Sequence, residues 1–305
     1  MSCAKANDDI TNPDVLTTFR PVTQWAVVVG SQSTHIQNPQ SLHITAQNEV
    51  YIADFANDRI QVFGVTGAYV RTIGSRGSDI GQMIGPRGVA VDSLGNILVS
   101  DYGNGRVLFF AKTSSGFENT LTFTAFNGTT LNQPYGVATY EEFVPQISGD
   151  FYIVDTGNSR LVRCDRAGTF IWTYGTDGAG TTQLHLPTDV GVTANGQYIY
   201  VSDTGNNRIV QIDRNGTRIT SWADGGESHV DLNGNVGIHV DYAGNIYVAD
   251  QYNHRIIKYT STGTVLGYYV FASTVYPVDI VSDHRGNVYV ADFVNSTVHI
   301  LAEYH

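Results

Sequence analysis

The sequence predicts an all-β fold, a six-bladed β-propeller, and three observations lead there. The stretch "IYVADQYNHRI" (246–256) recurs five more times, with small changes, along 305 residues. Successive copies lie 42–54 residues apart, the length of one four-stranded blade. The composition is that of strands and tight turns, with 32 Gly, 18 Tyr and only 15% charged residues.

The other copies read "VYIADFANDRI", "ILVSDYGNGRV", "FYIVDTGNSRL", "IYVSDTGNNRI" and "VYVADFVNSTV". Their aspartates are Asp54, Asp101, Asp155, Asp203, Asp250 and Asp292, and the asparagines Asn57, Asn104, Asn158, Asn206, Asn253 and Asn295 follow three residues later. Arg59, Arg106, Arg160, Arg208 and Arg255 come two residues after the Asn, and Thr297 breaks the series. Length alone would suggest about two domains, but a repeat that fills nearly the whole chain makes one array.

Each unit reads strand by strand. A Pro opens most of them (Pro39, Pro86, Pro134, Pro187, Pro277), with Asn235 in its place in the fifth. A short strand such as "RGVAVD" follows, then a turn such as "SLGN", where Gly supplies the positive φ. The second strand is the nearly continuous apolar run before the Asp, expected of a strand covered on both faces. The third starts at the Arg, and a turn such as "RNGT" leads to the fourth, for example "TFIWTYG".

These signals place blades at about 39–85, 86–133, 134–186, 187–234, 235–276 and 277–305. The last unit stops at "AEYH" without a fourth strand, while "VTQWAVVVGSQSTHIQNP" (22–39) resembles the fourth strand and crossover "TFIWTYGTDGAGTTQLHLP" (169–187). Residues 21–33 are therefore expected to complete the last blade and close the ring, leaving 1–20 as a polar arm. Closure removes the exposed edges of an open array.

The Asp ends the second strand and the Arg begins the third, so the motif is their hairpin turn. Asp accepts backbone N–H bonds in such turns, Asn tolerates the left-handed conformation, and Arg can pair with a carboxylate. A catalytic device appears once in a chain, not six times, so all seventeen motif residues are read as structural.

Pro, a short strand, "GNIYVAD" and "xxNxRI" together resemble the NHL repeat, whose family forms six-bladed propellers. The resemblance covers about residues 22–305 and weakens at an insertion in blade 3, "YEEFVPQISGD", and at Asn235. The family holds protein-binding modules, RNA-binding modules, extracellular sensor domains of bacterial kinases and amidating lyases, and fold does not choose among them. The lyase resemblance implies a metal held by histidines directly after the blade-opening Pro. That column reads Gln40, Arg87, Tyr135, Thr188, Val236 and Val278, with no His.

RNA binding calls for a basic stripe. Here 17 Lys and Arg face 28 Asp and Glu, five arginines belong to the turns, and Arg71, Arg76 and Arg87 alone could gather near the first crossover. Nucleic acid is disfavoured. His43 and His239 share a column but lie in non-adjacent blades, and they read as packing residues. His35, His185 and His229 lie in crossover loops with no visible partner. Cys3 and Cys164 are too few for a disulfide framework.

Function is expected where the repeats differ. The face carrying the Asp-x-x-Asn turns collects Phe55, Tyr102, Gln251 and Phe293 after the turn aspartates. Arg87 and Tyr135 follow the prolines, and Asp189 and Asp279 come one residue later still. Such a mixture of aromatics, one cation and two carboxylates suits a peptide, a protein or a small polar ligand. The reading is a non-enzymatic binding scaffold, monomeric, with no catalytic residue, no metal and no cofactor. The alternative is a metal-dependent lyase or hydrolase of the propeller type, with Zn or Ca, and RNA binding ranks third.

On the opposite face the insertion brings Glu141, Glu142, Phe143 and Val144, read as a tolerated loop. No run approaches the ~18 apolar residues of a membrane span, and the opening "MSCAKANDDITNPDV" has no signal-peptide core. Sequons at Asn127, Asn215 and Asn295, with only three Lys, point towards an extracellular surface without fixing the compartment.

Overall fold

The computed structural model describes residues 18–25, 35–140, 149–223 and 231–304. Among them six antiparallel four-stranded sheets form the blades. Blade 1 comprises Pro39–Ile44, Glu49–Asp54, Arg59–Gly64 and Tyr69–Ile73, and blade 2 comprises Pro86–Val91, Ile97–Asp101, Arg106–Thr113 and Gly116–Phe123. Blade 3 comprises Pro134–Tyr140, Asp150–Asp155, Arg160–Asp165 and Phe170–Tyr174; blade 4 comprises Asp189–Val192, Tyr198–Asp203, Arg208–Asp213 and Arg218–Trp222. Blade 5 holds Asn235–Val240, Ile246–Asp250, Arg255–Tyr259 and Val265–Val270. Blade 6 holds Pro277–Ser282, Asn287–Asp292 and Thr297–Tyr304, with Thr18–Trp25 as its outer strand.

The innermost strands pack on one another in ring order, the first against the last included. In blade 6 the N-terminal strand runs antiparallel to the C-terminal one, with Thr18 opposite Tyr304 and Trp25 opposite Val298. It begins three residues before the expected boundary of the polar arm. The reason is Phe19, which buries its ring in the cluster of Tyr247, Ile256 and Leu301 between blades 5 and 6. The remainder of the expected outer strand, 26–33, lies outside the described residues, as do most of the arm and the insertion residues Glu141, Glu142, Phe143 and Val144.

The core consists of six clusters, one between each pair of neighbouring blades. The second strand of blade 1 shows why its sequence is apolar throughout. Val50 and Ile52 pack towards blade 6, while Tyr51 and Ala53 pack towards blade 2. Successive strand residues point to opposite faces, and here both faces are interior. Each such aliphatic side chain contributes roughly 1.5–3 kcal/mol by leaving water.

The repeated motif fastens each blade to the loop entering it. One Asp oxygen accepts the N–H of a crossover residue: Gln37 at 2.6 Å, Ile84 at 2.7 Å, Asn132 at 2.8 Å, His185 at 2.7 Å, Asn233 at 2.7 Å and Tyr276 at 3.2 Å. The other accepts Arg Nε at 2.6–2.8 Å in blades 1 to 5. The Asn amide donates to that Asp and to a crossover carbonyl, as Asn206 does to Asp203 and to Gly178. The left-handed residue is not the Asn itself, as the sequence suggested, but its successor: Asp58, Gly105, Ser159, Asn207, His254 or Ser296. In blades 1 to 5 the Asn stays in the preceding 3-10 turn, with its side chain committed to the Asp.

In blade 6, where Thr297 breaks the arginine series, His299 Nε2 lies 3.2 Å from Asp292 Oδ2 and takes the missing place. Among the described residues no helix is long and apolar enough to cross a membrane.

Candidate functional site

All six innermost strands meet at the mouth of the axis, on the face of the Asp-x-x-Asn turns. Blades 1 to 3 contribute Gln40, Ser41, Arg87, Tyr135 and Gly136 to one small cavity there. Blades 4 to 6 contribute Asp189, Val236, Gly237, Val278 and Asp279. The space measures about 10 Å³, the room that one water-sized group needs.

Arg87 dominates one wall. Its guanidinium lies over three rings, 4.8 Å from the centroid of Phe55, 4.2 Å from Tyr102 and 4.6 Å from Tyr135. Each such contact contributes on the order of 0.5–2 kcal/mol, according to how far water is excluded. Arg87 Nη1 donates to Gln40 Oε1 at 3.1 Å, and the Tyr135 hydroxyl donates to the same oxygen at 2.6 Å. Gln40 is itself buried, so it orients both groups. The Arg87 Nε–H is buried without an acceptor among the described residues, and Arg87 makes no ion pair there. Burial pushes the Tyr135 phenol up, while Arg87 pulls the other way.

The other wall holds the two carboxyls. Asp189 Oδ2 accepts the N–H of Ile238 at 2.9 Å, reaching from blade 4 to blade 5. Asp279 Oδ2 accepts the N–H of Leu42 at 2.6 Å, reaching from blade 6 to blade 1, and its Oδ1 accepts from Ile280 at 2.8 Å. Both carboxyls fit because the neighbouring blade presents a glycine. A Cβ on Gly136 would come within 2.3 Å of Asp189 Oδ1, and one on Gly237 within 2.4 Å of Asp279 Oδ1. Burial makes Asp279 a weaker acid, its pKa pushed up to about 7, and burial followed by repulsion from Asp279 raises that of Asp189 well above the carboxylate range. Neither has a cation within ion-pair distance among the described residues.

Six of the eight residues expected on this face thus come together: Phe55, Arg87, Tyr102, Tyr135, Asp189 and Asp279. Gln251 and Phe293 do not join them. Gln251 lies in the blade 5 turn, and Phe293 packs on the core between blades 6 and 1. Gln40, Ser41, Gly136 and Gly237 complete the cavity although the sequence reading did not single them out as site residues. A signal for Ser41, Gly136 and Gly237 exists in the column two residues past the Pro position, which holds only Ser, Gly and Asp around the ring. The other ring positions close the fold, as Thr156 donates to the carbonyl of Pro187 and Thr204 to that of Asn235.

Two sequence readings change here. Arg71, Arg76 and Arg87 do not gather, because Glu49 and Asp58 take the first two. His185 is not unpaired: its Nδ1 lies 2.8 Å from Asp177 Oδ1. His43 and His239 stand as packing residues, in blades that blade 6 separates. Burial pushes both down to about 4, with His239 adding to the effect on His43, and His239 packs on Ser282 and Tyr247. His229 lies outside the described residues. No three His, Cys, Asp or Glu side chains converge as a metal site among the described residues. The column after the blade-opening Pro, without histidine, does not fit the metal of an amidating lyase.

Fold and repeated motif define a six-bladed β-propeller. The NHL repeat model matches residues 84–110, the first three strands of blade 2 and the loop before them. Among solved structures, a protein of unknown function from Bacteroides thetaiotaomicron is 16% identical with a TM-score of 0.68, covering 94% of this chain and 76% of its own. A catalytically inactive virginiamycin B lyase from Staphylococcus aureus, with quinupristin, is 13% identical with a TM-score of 0.63, over 93% and 99%. A gluconolactonase from Xanthomonas campestris is 14% identical with a TM-score of 0.63, over 89% and 88%. At these identities the likeness is one of fold, and that fold carries enzymes.

Proposed function

We propose that the chain is a ligand-binding propeller that takes a small polar ligand, or the end of a peptide, at the axial mouth on the turn face, without chemistry. The observation that carries this reading is Arg87. A guanidinium fixed between three rings, with a buried N–H that has no acceptor, is a preorganised donor for an incoming polar group. A melting-shift and calorimetric screen of small polar compounds and short peptides tests it, using wild type, Arg87→Ala and Gln251→Ala. Ligands should lose binding with Arg87→Ala and keep it with Gln251→Ala, which lies on the same face outside the cavity. Equal binding by wild type and Arg87→Ala would end the proposal.

A second reading, an acid–base lyase or hydrolase, is favoured by one observation: two buried carboxyls that keep their protons to higher pH than usual share the cavity. The fold likeness to a lyase and a lactonase agrees with that reading. It requires turnover that Asp279→Asn abolishes, whereas the binding reading requires the ligand to be recovered unchanged.

A further inference from the structure

Among the described residues the buried charged side chains are matched, with one exception. Asp54, Asp101, Asp155, Asp203 and Asp250 each hold an arginine, Asp150 holds Arg163, and Glu303 holds Lys258. Around the cavity the matching fails in both directions. Among the described residues Arg87 has no anion and Asp189 and Asp279 have no cation, yet all three line the same space.

Buried charges are expensive unless paired. The two poles sit on opposite walls, blade 2 against blades 4 and 6, with Gly237 of blade 5 between the aspartates. Asp279 Oδ1 crowds the Gly237 Cα, and Asp189 Oδ2 holds the next N–H, that of Ile238. A ligand with one charge would satisfy one wall and aggravate the other.

We propose that this cavity takes the ammonium of a small zwitterion, an α-amino acid, between Asp189 and Asp279, with the ligand carboxylate outside it on the partly exposed Arg87. This rests on the binding function proposed above and names its ligand class. The ammonium is a water-sized group, as the cavity requires, and it supplies the cation that the two aspartates lack. The carboxylate accepts from the guanidinium, whose planar fork suits it.

Binding is linked to protons. The titratable or charged groups facing the cavity are Asp189 and Asp279 from blades 4 and 6, Arg87 from blade 2 and Tyr135 from blade 3. Blade 1 presents Gln40 and Ser41, and blade 5 presents Val236 and Gly237, none of which titrates in this range. An ammonium favours ionised aspartates, so capture releases protons and strengthens as pH rises from 6 to 8.

The test is titration calorimetry of the full chain with glycine, glycinamide and N-acetylglycine, each in two buffers of different ionisation enthalpy. Glycine should bind with proton release, and each half-ligand about tenfold weaker or worse, as loss of one charge-assisted contact requires. Arg87→Gln should weaken glycine to the level of glycinamide. Asp189→Asn should abolish the preference for glycine over N-acetylglycine. The ligand series on wild type decides the matter even where a variant fails to fold. N-acetylglycine binding as tightly as glycine overturns the inference, and so does no response to any of the three. If another polar ligand then shows Arg87-dependent binding, the amino-acid class falls and the binding function stands; if none does, both fall.

Discussion

The turns and the axial cavity use the same residue types to opposite ends. In the turns, Asp203 faces Arg208, Asn206 and the N–H of His185, so every charge has a partner and the arrangement recurs from blade to blade. In the cavity, Asp189 and Asp279 meet only neutral hydrogen bonds, and Arg87 meets rings and an amide. The turn chemistry is repeated because each blade needs it to hold its incoming loop. The cavity chemistry occurs once because each blade supplies a different residue to a common centre. Satisfaction marks structure here, and mismatch marks the proposed ligand site.

Four measurements can break or sharpen this contrast, beginning with the largest effect. Asp203→Ala leaves Arg208 buried without its carboxylate, and should cost about 3–5 kcal/mol in chemical denaturation. A loss below about 1 kcal/mol, the range of an exposed pair, would show that the turn is not the fastening described. Gly237→Ala places a methyl 2.4 Å from Asp279 Oδ1 and 2.7 Å from the carbonyl of Val278. It should cost about 1–3 kcal/mol, as overpacking does, and should abolish ligand binding while leaving the turns intact.

The third measurement is a pH titration of stability. Asp279 is raised from 3.8 to about 7 in the folded chain, so between those values the native state binds the proton that the unfolded state releases. Stability from this group is full below pH 4 and falls as pH rises to 7. Asp279→Asn should flatten that part of the profile; an unchanged slope would remove the cavity's mismatch. Asp292 works with the opposite sign. Burial pushes it up, but hydrogen bonds from His299, Asn295 and the backbone outweigh that and leave it lowered. Its contribution is present above pH 4 and fades on acidification below that. The smallest effect belongs to Arg76→Ala. Its partner Asp58 is buried but Arg76 itself is largely exposed, so the change should stay within about 1 kcal/mol.

Much of the fold was legible because its signals are local and repeated six times. The Asp–Asn–Arg spacing marked each second hairpin, and the apolar run before it marked a strand with both faces buried. The likeness of 22–39 to 169–187 signalled that an N-terminal strand completes the last blade. Phe19 escaped notice, because one apolar residue in a polar stretch has no periodicity to reveal it. Substitution by a residue outside the motif was also invisible: nothing local says that His299, two positions on, takes the place of the arginine that Thr297 omits.

The candidate site divides in the same way. Divergence from the repeat picked out Arg87, Tyr135, Asp189 and Asp279, since a residue that differs between blades is not needed for the blade. It also picked out Phe293, which merely packs, and it passed over Gln40, whose role lies in a hydrogen bond to a residue 95 positions away.

By itself, then, the sequence determined the propeller, its six blades and the structural nature of the turns, because strand patterning and turn chemistry act over a few residues. Only the tertiary structure decided that one cation and two carboxyls share a cavity without pairing. They come from blades 2, 4 and 6, and closure of the ring alone sets the distance between such distant segments.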